Sequence, residues 1–196
     1  MEIRKAAISD CLQIACLHRE GIGAGFLRSL GAPFLSLLYE ALIRWPQAVV
    51  LTAAEGQKIL GFVAGVKANG RFMRFFALRY GARAVWRIFP RLFRLDAFRK
   101  IIEVFFCSSQ KGLVVFPQAE LLSIAVREDA RGRGIGKDLF LGLTAWFQRQ
   151  GVKNFKIIVG KDLLSAKRFY NTMGCRLAGE VEIHKPEKSD VFIYEL

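Results

Sequence analysis

The residues with the most chemistry lie in one run: Glu120-Leu-Leu-Ser-Ile-Ala-Val126, Arg127-Glu-Asp-Ala130, then Arg131-Gly-Arg-Gly-Ile-Gly136-Lys137. It reads as strand, basic glycine loop and helix. Leu121 to Val126 is an apolar, partly β-branched run of strand length. From Asp138 to Phe147 the apolar residues Leu139, Phe140, Leu143, Trp146 and Phe147 recur at helical intervals. Gly132, Gly134 and Gly136 lack a Cβ, which permits positive φ and close backbone approach to a ligand. The N–H groups that open the helix lack intrahelical partners, and the macrodipole there favours an anion. Arg131, Arg133 and Lys137 add positive charge, and arginine forks onto phosphate oxygens. The run predicts a diphosphate cradle over Arg131, Gly132, Arg133, Gly134, Ile135, Gly136 and Lys137. No Gly-Lys-Ser/Thr follows, so it is not a Walker A loop. A dinucleotide fingerprint fits poorly too, because Lys156 stands where an acidic residue is expected.

The pattern Arg-x-x-Gly-x-Gly after a strand ending in Val resembles the acetyl-CoA loop of the GNAT N-acetyltransferase family. A second stretch, Ala166-Lys-Arg-Phe169-Tyr170-Asn-Thr-Met-Gly174-Cys175, resembles that family's Asn-x-x-Ala-x-x-Phe-Tyr-x-x-x-Gly-Phe signature. The alanine, the Phe-Tyr pair and the glycine stand at the family spacing. Leu163 occupies the place of the usual Asn, and Cys175 that of the common Phe. The resemblance implies that the amides from Arg131 to Lys137 hold the CoA pyrophosphate. It implies that strand 121–126 runs beside the pantetheine arm, with the amides of Ile124 and Val126 next to the thioester and Ala125 between them. It also implies that Tyr170 protonates the departing sulfur. The cosubstrate is then acetyl-CoA or another acyl-CoA, and no metal is called for.

The amine must lose a proton, and Glu120, at the start of the fourth strand, is the best-placed general base. His18 and His184 are weaker alternatives. Cys107 and Cys175 have no paired histidine in view, which argues against a covalent nucleophile. The four cysteines are scattered and the two histidines lie far apart in sequence, so neither a zinc site nor a disulfide framework is suggested.

Composition sets the outer bounds. With 53% hydrophobic and 24% charged residues in 196, the chain suits one folded domain rather than a disordered one. The net charge of +13 suits a phosphate-bearing ligand, nucleic acid or an anionic membrane surface without choosing among them. The N-terminus leads into a strand, not a signal-peptide core, and no apolar run of spanning length lacks charge. A cytoplasmic location is expected, with the inner membrane surface as a peripheral alternative.

The elements that position these residues follow in order. Ile3 to Ile8 reads as strand one, and Ser9-Asp10 as the N-cap of a helix over Cys11 to Arg19. A helical turn is expected over Phe26 to Leu30, then a helix from Pro33 to Trp45. Val49 to Ala53 and Ile59 to Val66 form a hairpin, with Gly61 and Gly65 marking a bulge or a close backbone approach. Phe155 to Val159 is the fifth strand, and Leu163 or Leu164 to Met173 the last helix. Cys175 to Ile183 and Asp190 to Tyr194 make a closing antiparallel pair.

Residues 69–117 exceed the compact pattern. Within 71–106, Arg71, Arg74, Arg79, Arg83, Arg87, Arg91, Arg94, Arg99 and Lys100 face only Asp96 and Glu103, with aromatics interleaved from Phe72 to Phe106. Arg79, Arg83, Arg87 and Arg91 make one helical ridge. Leu78, Val85, Phe89 and Leu92 lie elsewhere on the circumference, and Pro90 separates two helices. Gly112 to Phe116 is an extra strand or the lead-in to strand four. Three roles stay open, in order of preference: packing on the domain or on a second copy of the chain, lying on an anionic membrane surface, and binding a polyanion such as RNA.

The expectation is a single α/β domain over 1–196 with the GNAT fold. Its mixed, mostly antiparallel sheet opens between strands four and five, carries flanking helices, and takes a helical insertion between strands three and four. The expected function is acyl-CoA-dependent N-acyltransfer, most simply of acetyl, to a small-molecule or peptide amine. Amino-sugar or longer-chain acyl transfer is the variant within that class. A catalytically inactive CoA-binding module that uses the insertion on membrane or nucleic acid is the alternative outside it.

Overall fold

In the computed structural model, residues 1–22, 30–88, 116–184 and 187–196 are described. The alternating runs form seven strands of one sheet: β1 (Glu2–Lys5), β2 (Ala48–Glu55), β3 (Lys58–Val66), β4 (Glu120–Val126), β5 (Asn154–Gly160), β6 (Arg176–His184) and β7 (Glu187–Glu195). Their order is β1-β2-β3-β4-β5-β7-β6. Only β4 and β5 pair in parallel; every other neighbouring pair is antiparallel. The closing hairpin therefore inserts its second strand, β7, beside β5.

Period-two alternation sends each strand's side chains to two separate cores. On one face, α1 (Cys11–Gly21) and α2 (Ala32–Arg44) pack over Val50, Phe62, Ala64 and Val66. On the other, α4 (Ile135–Arg149) buries Leu139, Phe140, Leu143 and Phe147 against Leu51, Val63, Leu121 and Phe155, beside α5 (Leu164–Thr172). Gly61 and Gly65 let α4 come close. A Cβ on Gly65 would stand 2.6 Å from Leu143 Cδ1, and one on Gly61 would stand 3.0 Å from Leu139 Cδ1. Both alternatives read from these glycines are present, since the β3–β4 register also shifts between Ala64 and Gly65.

Strand one ends earlier than its hydrophobic pattern suggested, at Lys5, and a 3₁₀ turn occupies Ile8–Asp10. Asp10 is the cause. Its carboxylate accepts the Ala7 N–H at 2.8 Å and pairs with Arg4 Nη1 at 2.6 Å, folding the chain back before α1.

The insertion opens with a twenty-residue helix, α3 (Asn69–Ile88). Its buried stripe is Phe72, Phe76, Tyr80 and Ala84, four residues apart and packed against α2. The arginine ridge flanks that seam: Arg87 donates to the Pro33 carbonyl at 2.7 Å, and Arg83 lies 3.9 Å from Glu40. Leu78 and Val85, placed elsewhere on the circumference, are 88% and 51% exposed, because four aromatic and small residues already fill the contact. The turn expected over Phe26–Leu30, Arg91, the break at Pro90, Cys107 and the strand expected over 112–116 lie wholly or mostly outside the described residues. Among those described, no helix is long and apolar enough to cross a membrane.

Candidate active site

The sheet parts between β4 and β5. These strands pair only at their feet, Glu120 with Lys156 and Leu121 with Ile157. Above that point β4 keeps only its β3 neighbour, and a bulge leaves Leu122 without a partner in the ladder. The Arg127 N–H bonds to the Leu60 carbonyl at 2.8 Å. Since successive N–H groups of a strand point to opposite edges, Val126 and Ile124 direct theirs away from β3, into the gap. Ala125 between them turns its side chain to α1, so that a Cβ on Gly21 would stand 2.9 Å from Ala125 Cβ.

The glycine loop stands at the head of the gap. Gly132 and Gly134 both have φ of +79°, a conformation that a side chain would strain. Gly134 caps α4, and the first intrahelical bond runs from the Asp138 N–H to the Gly134 carbonyl at 3.1 Å. The amides of Ile135, Gly136 and Lys137 therefore open the helix without intrahelical acceptors. The helix begins three residues before the expected Asp138. Gly136 is thus helical rather than left-handed, and its missing Cβ leaves room beside Phe169 and Val126, at 3.5 and 3.9 Å. Arg133 pairs with Glu55 at 2.6 Å, while Arg131 and Lys137 make no ion pair among the described residues.

Tyr170 lies on α5. Its ring sits among Phe140, Phe169 and Phe192, and only 5% of the residue is exposed. Burial raises the phenol's pKa well above its ordinary value, so it holds its proton. Its hydroxyl makes no hydrogen bond among the described residues. Leu163 precedes α5 and packs its side chain toward Gly160.

At the foot, Glu120 is buried. Its Oε2 accepts from Asn69 Nδ2 at 3.0 Å and lies 3.6 Å from Lys156 Nζ. Burial raises the carboxyl's pKa, while Lys156 and Asn69 oppose that rise. On the same face His18 Nδ1 meets Tyr39 Oη at 2.6 Å, and Tyr39 Oη meets Ser123 Oγ at 3.0 Å. His18 is 3% exposed and its pKa is lowered to about 4 by burial, which marks a neutral packing histidine. The His184 side chain and Cys107 lie outside the described residues. The buried Cys175 thiol is pushed up to about 12, far from a reactive thiolate.

Asn69, Lys156, Tyr39 and Ser123 were not read from sequence as site residues. For Lys156 a signal existed: it alternates with Phe155 and Ile157, which places it on the face opposite the α4 core. Asn69 carries none, since a polar residue at the start of a helix is ordinary.

The Acetyltransferase (GNAT) family model matches residues 20–175. The chain belongs to the GNAT acetyltransferase family. GNAT structures share its fold. PaiA N-acetyltransferase from Thermoplasma acidophilum, solved with coenzyme A, aligns at a TM-score of 0.62 and 14% identity, over 100% of this chain and 98% of that one. The yncA protein of Salmonella typhimurium, solved with acetyl-CoA, aligns at 0.63 and 17%, over 100% and 94%. The ribosomal-protein-S18-alanine N-acetyltransferase of Escherichia coli aligns at 0.60 and 12%, over 99% and 92%. No curated protein sequence matches.

Proposed function

We propose that the protein transfers an acyl group, most simply acetyl, from acyl-CoA to a primary amine by direct attack. The observation that carries this is the gap itself: unpaired amides of Ile124 and Val126 along one wall, helix-opening amides of 135–137 at the head, and a buried carboxylate at the foot. The diphosphate lies against the loop amides from Arg131 to Lys137, and the thioester reaches down beside β4. The amine nitrogen bonds to the carbonyl carbon, and the oxyanion takes hydrogen bonds from the gap-facing amides. As the C–S bond breaks, the proton lost by nitrogen passes to Glu120, and the sulfur takes one from Tyr170. Solvent then returns a proton from Glu120 to the phenolate, so the net products are amide and free CoA thiol.

The test is calorimetric titration of acetyl-CoA into wild type and Gly134→Glu, followed by a CoA-release screen against peptides, polyamines, aminoglycosides and amino sugars. The variant places a side chain at φ +79° and a carboxylate beside the diphosphate. A loss of affinity of tenfold or more is expected, since about 1.4 kcal/mol suffices for that. Equal affinities would remove the cradle, and with it the reading.

A further inference from the structure

Among the described residues one buried side-chain polar atom has no hydrogen-bond partner: Oδ1 of Asn69. A buried acceptor without a donor is uncommon in native structures and calls for a physical reason. The neighbours explain why the chain cannot supply a donor. Asn69 Nδ2 donates to Glu120 Oε2 at 3.0 Å, and a carboxylate only accepts, so the amide is held with Oδ1 turned the other way. The nearby cation is committed as well: Lys156 Nζ donates to the Pro117 carbonyl at 2.9 Å and leans on Glu120 Oε2 at 3.6 Å. Both contacts to the carboxylate fall on Oε2, and Oε1 carries neither.

These groups stand where β4 and β5 meet, at the closed end of the gap. The amides of Ile124 and Val126 face the gap above them. The foot of the gap thus offers two acceptors, a carbonyl oxygen and a carboxylate oxygen, to a group rich in N–H. A primary amine matches that demand. One N–H goes to Asn69 Oδ1, another to Glu120 Oε1, and the nitrogen lone pair stays free for the thioester carbon. A secondary amine has one N–H to share between the two acceptors, and a tertiary amine has none.

We propose that Asn69 Oδ1 and Glu120 form the subsite that holds a primary amine acceptor, with Asn69 touching the reacting nitrogen. This rests on the acyl-transfer reading above. It gives the first residue of the insertion helix a direct part in acceptor choice. Lys156 acts as a positioning residue, keeping Oε2 occupied so that Oε1 serves the amine.

The test uses crystals of wild type and Asn69→Leu, each with and without CoA, soaked in ethylammonium chloride, and separately in tetramethylammonium chloride, a cation with no N–H. The expected result is an ethylammonium nitrogen within hydrogen-bond distance of Asn69 Oδ1 in wild type, lost in Asn69→Leu, and no tetramethylammonium there in either. A water on Oδ1 in the presence of ethylammonium overturns the proposal. So does equal binding in the variant, which would mark an adventitious additive only. CoA density is read independently: its absence from the gap would sink the acyl-transfer reading, whereas the amine position judges the subsite alone. In kinetics with the best acceptor from the screen, Asn69→Leu should raise the acceptor KM roughly tenfold or more, the scale of one lost hydrogen bond to a charged group. The acetyl-CoA KM should stay unchanged, which also certifies the fold. An unchanged acceptor KM overturns the proposal.

Discussion

Acidification should reveal His18 as a neutral residue locked between α1, α2 and the sheet. The ring stacks on Phe62 at 6.3 Å and 19°, bonds to Tyr39 at 2.6 Å, and is held near a pKa of about 4 by burial alone. In the unfolded chain its pKa is close to 6.5. Between those values the unfolded state takes up a proton that the folded state refuses, so stability falls as the pH falls. From 6.5 to about 4, at 1.36 kcal/mol per pH unit, the loss reaches about 3 kcal/mol and then levels off. Urea unfolding of wild type and His18→Gln, at intervals from pH 7 to pH 4, isolates the effect. Glutamine is neutral throughout and still reaches Tyr39, while every other titrating group is common to both proteins. Wild type should lose up to about 3 kcal/mol more than the variant across this window. Parallel curves would refute the reasoning, because they would mean that His18 charges as easily folded as unfolded.

Gly65→Ala should cost about 1–3 kcal/mol in urea unfolding, because its Cβ would stand 2.6 Å from Leu143 Cδ1 in a filled core. Tyr170→Phe should lower kcat by about a hundredfold with the acetyl-CoA KM little changed, at the low end for a lost general acid, and an unaltered pH–rate profile and kcat would remove the phenol from the chemistry. Glu120→Gln should abolish the acid limb of kcat/KM. Its stability relative to wild type should also climb with pH. Burial raises the folded pKa of Glu120, so the wild-type contribution is fully present below the unfolded value and is lost as pH rises through the folded one. A stability difference that is flat in pH would contradict that sign.

Most of the fold was legible because its signals are local. Apolar runs marked all but the edges of the strands, and Gly56 closes the β2–β3 hairpin with a φ of +59°. Two of the misreadings share one cause, a tertiary partner that periodicity does not see. Asp10 folds the chain back on Arg4 and cuts β1 short. On α3, residue type marks Leu78 and Tyr80 alike as apolar, but only the approach of α2 decides that Tyr80 is covered while Leu78 is not.

The candidate site divides along the same line. Its donor half is read in one stretch, because strand, loop and helix start follow one another from Glu120 to Lys137 and backbone amides need no particular side chain to face an anion. Its acceptor half is assembled across the sheet, from Asn69 after β3, Glu120 on β4 and Lys156 on β5. These residues meet only through the pairing of Val66 with Glu120 and of Glu120 with Lys156. A one-residue slip in either register would turn the partner to the opposite face. The bulge at Leu122 makes this concrete. Across it, Leu121 packs with α4 while Leu122 packs with the α1–α2 core. Ser123 then meets Tyr39 on that same face. Two successive side chains therefore share the acceptor side, which strict alternation forbids. On the proposed reading, acceptor choice depends on register and bulge rather than on a contiguous motif, and substitutions that shift the β3–β4 register should alter the amine accepted before they alter the affinity for acyl-CoA.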